Sequence, residues 1–375
     1  MIQSDKQIME NLWWSGVEAV RGYAAVQKIM TEHAGGVPDL IIAVGKAAGD
    51  MALGARDALG QAVPTIVATK YEHASNALKD LVNCRIYESA HPIPDENSLK
   101  AGNAILKAVQ ELEPTSSLLL LVSGGASSLV EVLQPELDLN DLARLNEGFM
   151  AQGLDIHQIN AERKKISKIK AGQLLEAFKG ASAQVIAVSD VEGDNIDVIG
   201  SGIGAYHGDN PNITVSIAAS NQVARQAIQS AAIALDLTII ENTEILYGDV
   251  AEVADRVFDI VGDGPNGLYI FGGEPTCVLP DRPGRGGRNQ HLALYLANLI
   301  RGRNNLSILV AGTDGTDGPT GDAGGLVDGD TVQTDITAYL QNADSGSYLD
   351  QRDALFTTGP TGTNVMDIML VLKTA

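Results

Sequence analysis

The run Phe271-Gly272-Gly273-Glu274-Pro275-Thr276 continues through Gly284-Arg285-Gly286-Gly287-Arg288-Asn289-Gln290-His291 and closes at Gly312-Thr313-Asp314-Gly315-Thr316-Asp317-Gly318-Pro319-Thr320-Gly321. Each glycine cluster abuts an apolar segment. Leu268 to Phe271 and Leu306 to Ala311 read as short buried strands, and His291 to Ile300 reads as a helix. Glycines at strand ends mark the places where layered α/β proteins put their ligands. Without a Cβ, glycine lets several backbone N–H groups converge on one anion. Arg288 at a helix start adds a planar fork of donors for phosphate or carboxylate, and Asp314 and Asp317 suit a divalent metal or a hydroxyl proton. Turn formation alone explains any one such cluster. Three in succession, each carrying Glu, Arg or Asp, point to phosphoryl transfer more than to hydride transfer.

At 375 residues the chain is long enough for two domains rather than one. The charge-rich helix Asp249 to Val261 and the turn Gly262-Asp263-Gly264-Pro265-Asn266-Gly267 mark a transition that separates residues 1–248 from 249–375. The formal charge of −21 at pH 7 repels nucleic acid and anionic membranes, and argues against both as partners. In so acidic a chain a phosphorylated ligand depends on locally placed cations, so a basic residue beside a glycine loop is informative. Cys84 and Cys277 do not make a disulfide framework, and reduced thiols are expected. Met1 to Thr31 lacks the basic start and continuous apolar core of a signal peptide, and no run has the apolar length of a membrane span. A soluble, cytoplasmic protein is expected, with homo-oligomerisation left open.

Upstream, the same strand–loop–helix unit recurs. Ile8 to His33 reads as one helix in which Trp13 and Trp14 are packing residues. The strand Leu40 to Val44 runs into Gly45-Lys46-Ala47-Ala48-Gly49, which sets Lys46 beside the first amides of a helix. That is a place for an anion or for an ordinary surface lysine. It is not a P-loop, because the glycine-rich approach and the Ser or Thr after the lysine are missing. Ser117 to Val122 ends in Ser123-Gly124-Gly125-Ala126-Ser127-Ser128, again strand, small-residue loop, helix. Gln184 to Val188 ends in Ser189-Asp190-Val191-Glu192-Gly193-Asp194, whose aspartates serve either a hydrated metal and substrate hydroxyls or turn capping. His91, in a turn-rich connection, contacts a ligand or is a hydrogen-bonded loop residue. Glu162 to Leu175 reads as a basic helix with Arg163 and Lys165, and with Lys164 and Lys168 on one face. Asn364, ahead of the apolar run Met366 to Leu372, faces a site or caps a turn. Neither a Gly-x-Ser-x-Gly elbow nor a dinucleotide fingerprint in strand–helix context is present, which leaves hydrolase and nicotinamide chemistry with little support.

Taken in order, these motifs resemble the glycerate 2-kinase family of the non-P-loop type, whose C-terminal domain is called MOFRL. The resemblance runs through Gly45-Lys46-Ala47-Ala48, His91-Pro92-Ile93-Pro94-Asp95, Ser123-Gly124-Gly125, Arg163 to Gly172 and Ser189 to Asp194. It is most specific at Gly272-Gly273-Glu274, Gly286-Gly287-Arg288-Asn289-Gln290 and Thr313 to Thr320. It implies an α/β protein with a larger Rossmann-like domain, a smaller C-terminal α/β domain and an active site in their cleft. It also implies ATP-dependent phosphorylation of D-glycerate at the 2-hydroxyl, giving 2-phosphoglycerate and ADP. Members of the family are at times labelled hydroxypyruvate reductases. By resemblance Lys46 and Arg288 are catalytic, and Asp314 or Asp317 belongs to the acidic catalytic motif. On this reading Gly45, Ser123, Gly124, Gly125, Ser127, Lys168, Gly273, Glu274, Gly286, Gly287 and Asn289 bind nucleotide or phosphate. His91, Arg163, Asp190 and Asn364 bind the hydroxy-acid substrate, and Asp190, Asp194 and Asp314 hold Mg²⁺. Ala126 and Ala171 stand where the family commonly has glycine, Lys165 where it has histidine, and Ile203 where it has proline. An added methyl group is expected to obstruct an anion's approach or a positive φ at the two alanines.

Overall fold

A strand buried on both faces reads as unbroken apolar sequence, and Leu40-Ile41-Ile42-Ala43-Val44 and Leu118-Leu119-Leu120-Leu121-Val122 are of that kind. In the computed structural model, which describes residues 4–32, 36–151, 162 and 164–375, both lie at the centre of an all-parallel sheet. Its strands are β1 (Leu40–Val44), β2 (Thr65–Lys70), β3 (Cys84–Ser89), β4 (Ser117–Val122), β5 (Ser182–Val188) and β6 (Ile213–Ala219). They are ordered β3-β2-β1-β4-β5-β6, and every neighbouring pair is parallel. The chain therefore winds outward from β1 through β3, then starts again at β4 and winds the other way. The loops leaving β1 and β4 meet at this reversal, at the carboxyl ends of the strands, where open α/β sheets place their ligands. The sheet belongs to the compact unit Arg21–Ala219, whose core gathers Ile42, Val44, Leu120, Val122 and Val185 with Ile105 and Ile169.

The second compact unit joins Met1–Val20 to Ser220–Ala375. Its strands are β7 (Ile239–Glu244), β8 (Gly248–Asp249), β9 (Gly267–Gly273), β10 (Pro275–Thr276), β11 (Leu306–Gly312), β12 (Gly324–Asp328), β13 (Leu355–Phe356) and β14 (Asp367–Lys373). Six of them form a mixed sheet ordered β13-β12-β11-β14-β9-β7, while β8 pairs with β10. Only β7 and β9 run parallel in the larger sheet. Register sets Gly273, Asp367 and Gly312 in one row across β9, β14 and β11. This row is the end of the sheet from which the quoted glycine clusters leave.

The structure corrects several boundaries. The helix expected over Ile8 to His33 is two helices, Asp5–Ala19 and Gly22–Glu32, with the break at Val20 and Arg21 coinciding with the division between the units. The two compact units divide at Ala219 and Ser220. Helix Asn221–Ala234 and β7 stay with the mixed sheet because β7 hydrogen-bonds to β9. Helix Asp5–Ala19 packs on Asn221–Ala234, and a Cβ added to Gly16 would lie 2.7 Å from Ile228 Cδ1. The basic helix expected through Leu175 ends early. Ser167 bridges Leu133, Ala171 and Gly172 take positive φ values of 56° and 86°, and a separate turn of helix covers Gln173–Glu176.

Trp13 is fully buried, edge-on to Trp14 and Phe356 with ring centroids 5.2 and 5.1 Å away. It is a packing residue, as expected. Trp13→Ala should destabilise the chain by roughly 3–5 kcal/mol, the usual cost of emptying a buried aromatic site. Urea unfolding followed by circular dichroism measures it.

Candidate active site

In the parallel-sheet unit, the meeting of the β1 and β4 loops is stitched by the backbone. Lys46 N–H donates to the Gly124 carbonyl at 2.9 Å, and Ser123 N–H donates to the Val44 carbonyl at 2.9 Å. Ala47 N–H donates to Ser123 Oγ at 3.1 Å. Gly45 takes φ +122°, and a Cβ there would lie 2.1 Å from Ser123 Oγ, so only glycine lets the two loops cross this closely. Gly125 takes φ +80°, and its missing side chain leaves room for His91 Nε2 and Lys46 Cγ, 3.1 and 3.2 Å from the Cβ position. The amides of Gly124 and Gly125 donate to no backbone carbonyl among the described residues. Asp190 closes the far side, its Oδ2 1.9 Å from where a Cβ on Gly124 would be. Ser127 is braced from outside the loop, its Oγ accepting from Ser201 at 2.9 Å.

The half-buried Lys46 ammonium makes no hydrogen bond or ion pair among the described residues. Its charge is felt by His91, whose pKa burial, Lys46, Lys70 and His73 together push down to about 4. His73 is lowered too, by burial first and then by Lys70 and Lys46, against an opposing pull from Glu88 and Glu72. Loop amides without a backbone acceptor, an uncommitted lysine and neutral imidazoles are the donor set that an anion asks for.

The mixed-sheet unit carries a different arrangement. Arg288, at the start of helix Arg288–Leu299, pairs through Nη1 with Glu274 at 2.7 Å and through Nε with Asp367 at 2.7 Å. Asn289 Nδ2 donates to the other Asp367 oxygen at 3.0 Å. Burial works against the charge on Arg288, but Asp367 and Glu274 hold its pKa above the ordinary guanidinium value. Burial raises the Asp367 pKa, with Arg288 and Asn289 opposing. The first free amides of this helix are already taken. Asp317 accepts from Asn289 N–H at 3.0 Å and from Gln290 N–H at 2.8 Å. A Cβ on Gly287 would lie 2.3 Å from the Asp317 carboxyl carbon. The Gly286-Gly287 pair thus admits the chain's own carboxylate, where the sequence suggested a phosphate.

Other expected residues are placed as follows. Asp314 is half-buried, with Oδ1 accepting from the Thr316 amide and hydroxyl at 2.9 and 3.0 Å. Glu274 is exposed beside Arg288, while Gly273 takes φ +137° and packs on the backbone of Leu246. Asn364 caps its own turn, Oδ1 accepting from Met366 N–H at 3.1 Å. Lys168 is half-buried, and its amide donates to the Val132 carbonyl at 2.8 Å. Asp194 sits at φ 53° in the turn Glu192–Asp194. Arg163 lies outside the described residues. Among the described residues, no three His, Cys, Asp or Glu side chains gather as a metal site. Of the substituted positions, Ala171 does adopt left-handed backbone at φ 56°, whereas Ile203 at φ −63° keeps a proline-like angle.

Sequence reading passed over Lys70, His73, Asp367 and Glu131. Asp367 and Glu131 carried a signal, since each is a lone acid inside an apolar run. Glu131 is fully buried and pairs with Lys170, and its Oε1 accepts from Ser167 Oγ at 2.6 Å. Lys170 is therefore a buried partner of Glu131.

Fold and strand order together define a doubly wound α/β protein whose parallel sheet reverses direction between β1 and β4. Residues 8–236 match a domain of unknown function, DUF4147, and residues 267–367 match the MOFRL family. A D-glycerate 2-kinase from Thermotoga maritima is 34% identical, with 89% of this chain and 90% of that protein covered. A protein of Agrobacterium vitis named as a hydroxypyruvate reductase is 30% identical, with 98% of this chain and 94% of that protein covered. The crystal structure of a glycerate kinase from Thermotoga maritima superposes with a TM-score of 0.90 at 31% identity, covering 98% of this chain and 99% of that one. The chain belongs to the glycerate 2-kinase family of the non-P-loop type, in which a MOFRL domain follows DUF4147.

Burial outweighs the two amide hydrogen bonds at Asp317 and raises its pKa to about 7. The folded chain then binds a proton that the unfolded chain has already lost above pH ~4. Stability from this group is full below about pH 4 and is lost as the pH rises through about 7. Urea unfolding at pH 5 and pH 8 should show that loss, and Asp317→Asn should remove this part of the pH dependence.

Proposed function

We propose that this chain transfers the γ-phosphoryl group of ATP to the 2-hydroxyl of D-glycerate, giving 2-phosphoglycerate and ADP, as a cytoplasmic enzyme. The observation that carries the proposal is the uncommitted Lys46 ammonium beside the free amides of Gly124 and Gly125 at the sheet's reversal point. Phosphoryl transfer asks a protein mainly for alignment and preorganised positive charge. Lys46 supplies the charge and the loop amides cradle the non-bridging oxygens. The bond from Pγ to the ADP oxygen breaks as the bond to glycerate O2 forms, and the hydroxyl proton passes to a carboxylate. Of the two aspartates in the Thr313–Thr320 stretch of the mixed-sheet unit, Asp314 holds its turn through Oδ1 alone. Asp317 is 2% exposed and spends both oxygens on helix amides. The names of the Thermotoga maritima relative and structure support the same substrate.

Mg²⁺ accompanies nucleotides bound largely through their phosphates and one or two carboxylates. Asp190 beside the Gly124 loop fits that pattern, whereas a cage of three protein acids does not. When bound there, the ion would neutralise developing phosphate charge. The free thiols Cys84 and Cys277 suit a reducing compartment.

Incubation with ATP and D-glycerate should yield ADP and 2-phosphoglycerate in equal amounts. Binding without product would leave a phosphometabolite-binding protein. Hydroxypyruvate-dependent oxidation of NAD(P)H would support the reductase name instead. Lys46→Ala should lower kcat by roughly 10²–10³-fold, the scale of one preorganised charge-stabilising group, with an unchanged circular dichroism spectrum. Arg288→Ala is a poorer probe, because it leaves the buried Asp367 carboxylate without its cation.

A further inference from the structure

Lys46, Lys70, His73 and His91 come from the carboxyl ends of three neighbouring strands, β1, β2 and β3. Lys70 closes β2 in register with Ser89, the last residue of β3, and His91 follows shortly after. His73 lies in the next turn, its amide donating to the Lys70 carbonyl at 3.1 Å. The His91 ring rests against Gly125 on the same side as the Lys46 stem, so the cluster is continuous with the glycine loop. The opposing acids are few. Glu88 and Glu72 act on His73, and Glu88 Oε1 is engaged by the Ala74 amide at 3.2 Å. No carboxylate is among the groups acting on His91. Neither lysine ammonium has a hydrogen bond or ion pair among the described residues. In a chain of charge −21, the two lysine charges add to burial in keeping both imidazoles neutral, and a bound anion would offset those charges.

Building on the kinase reading above, we propose that Lys70, His73 and His91 form the subsite for the acceptor's carboxylate, which selects 2-hydroxy acids over neutral polyols. A 2-hydroxy acid carries its carboxylate one carbon from the reacting oxygen, so the carboxylate group must lie beside the phosphoryl position. His91 meets that requirement, since it touches the glycine loop on one side and joins Lys70 and His73 on the other. A neutral imidazole N–H donates to the carboxylate, and Lys70 contributes full charge without competing for the phosphoryl group.

The test is a histidine-ring NMR titration of the full chain labelled at ¹³Cε1. His73 and His91 are assigned through His73→Asn and His91→Gln. D-Glycerate and glycerol are added separately, with and without ADP. D-Glycerate should move both resonances and raise both titration midpoints, because a carboxylate favours the protonated ring. Glycerol, which lacks the carboxylate, should move neither. Lys70→Met should raise KM for D-glycerate by about tenfold or more while KM for ATP changes by less than about twofold. Rings that stay still in D-glycerate, rings that respond equally to glycerol, or a Lys70→Met variant that raises both KM values alike would overturn the subsite. Moving rings without phosphorylated product keep the subsite and refute the kinase. Product with silent rings does the reverse, and silence without product removes both.

Discussion

Everything in the parallel-sheet unit depends on how closely two loops cross at its centre. The backbone of Gly45 and Lys46 lies against Ser123 and Gly124, and one added methyl group at Gly45 would collide with the serine hydroxyl. Hydrogen bonds in both directions fix the crossing, from Lys46 to Gly124 and from Ser123 to Val44. That contact leaves the neighbouring amides of Gly124 and Gly125 without backbone acceptors and holds the lysine stem against the same loop. Receptor chemistry thus follows from a steric fact about the reversal of strand order. A bound anion would supply the acceptors that the backbone lacks there.

The mixed-sheet unit applies the same local chemistry to the opposite end. Helix Arg288–Leu299 also begins after a pair of glycines, but its open amides are capped by Asp317 and its leading arginine is held by Glu274 and Asp367. A helix start preceded by glycines is therefore not by itself a vacant anion site. Buried acids on neighbouring segments decide whether it is. Here the row Gly273, Asp367, Gly312 brings one such acid to the sheet's end, and Arg288 is oriented by it.

Sequence alone revealed the α/β class, the strands and the loops that matter, because buried parallel strands announce themselves as apolar runs and glycine clusters punctuate them. Lys46 and the Ser123–Ser127 loop were legible on those grounds. Strand order was not, since β1 pairs with both β2 and β4 through contacts that no local pattern encodes. For the same reason His73 and Lys70 escaped notice: nothing near them in the chain shows that β1, β2 and β3 deliver their ends together. Asp317 was visible as an acid beside glycines. Its partners lie on a distant helix, so its capping role was hidden. The early break at Val20 was masked by apolar spacing that continues smoothly across it, and the burial of Lys170 by the basic company it keeps.

The mixed-sheet unit contains both the first twenty residues and everything after Ala219. The parallel-sheet unit is accordingly an insertion in the chain, complete in itself once β6 has been made. During synthesis from the ribosome, helix Asp5–Ala19 emerges long before helix Asn221–Ala234 and β14, two elements that it packs against. Its buried face, with Trp13 at the centre, is exposed for most of that time. Helix Asp5–Ala19 is thus reliant on protection while the chain is still growing.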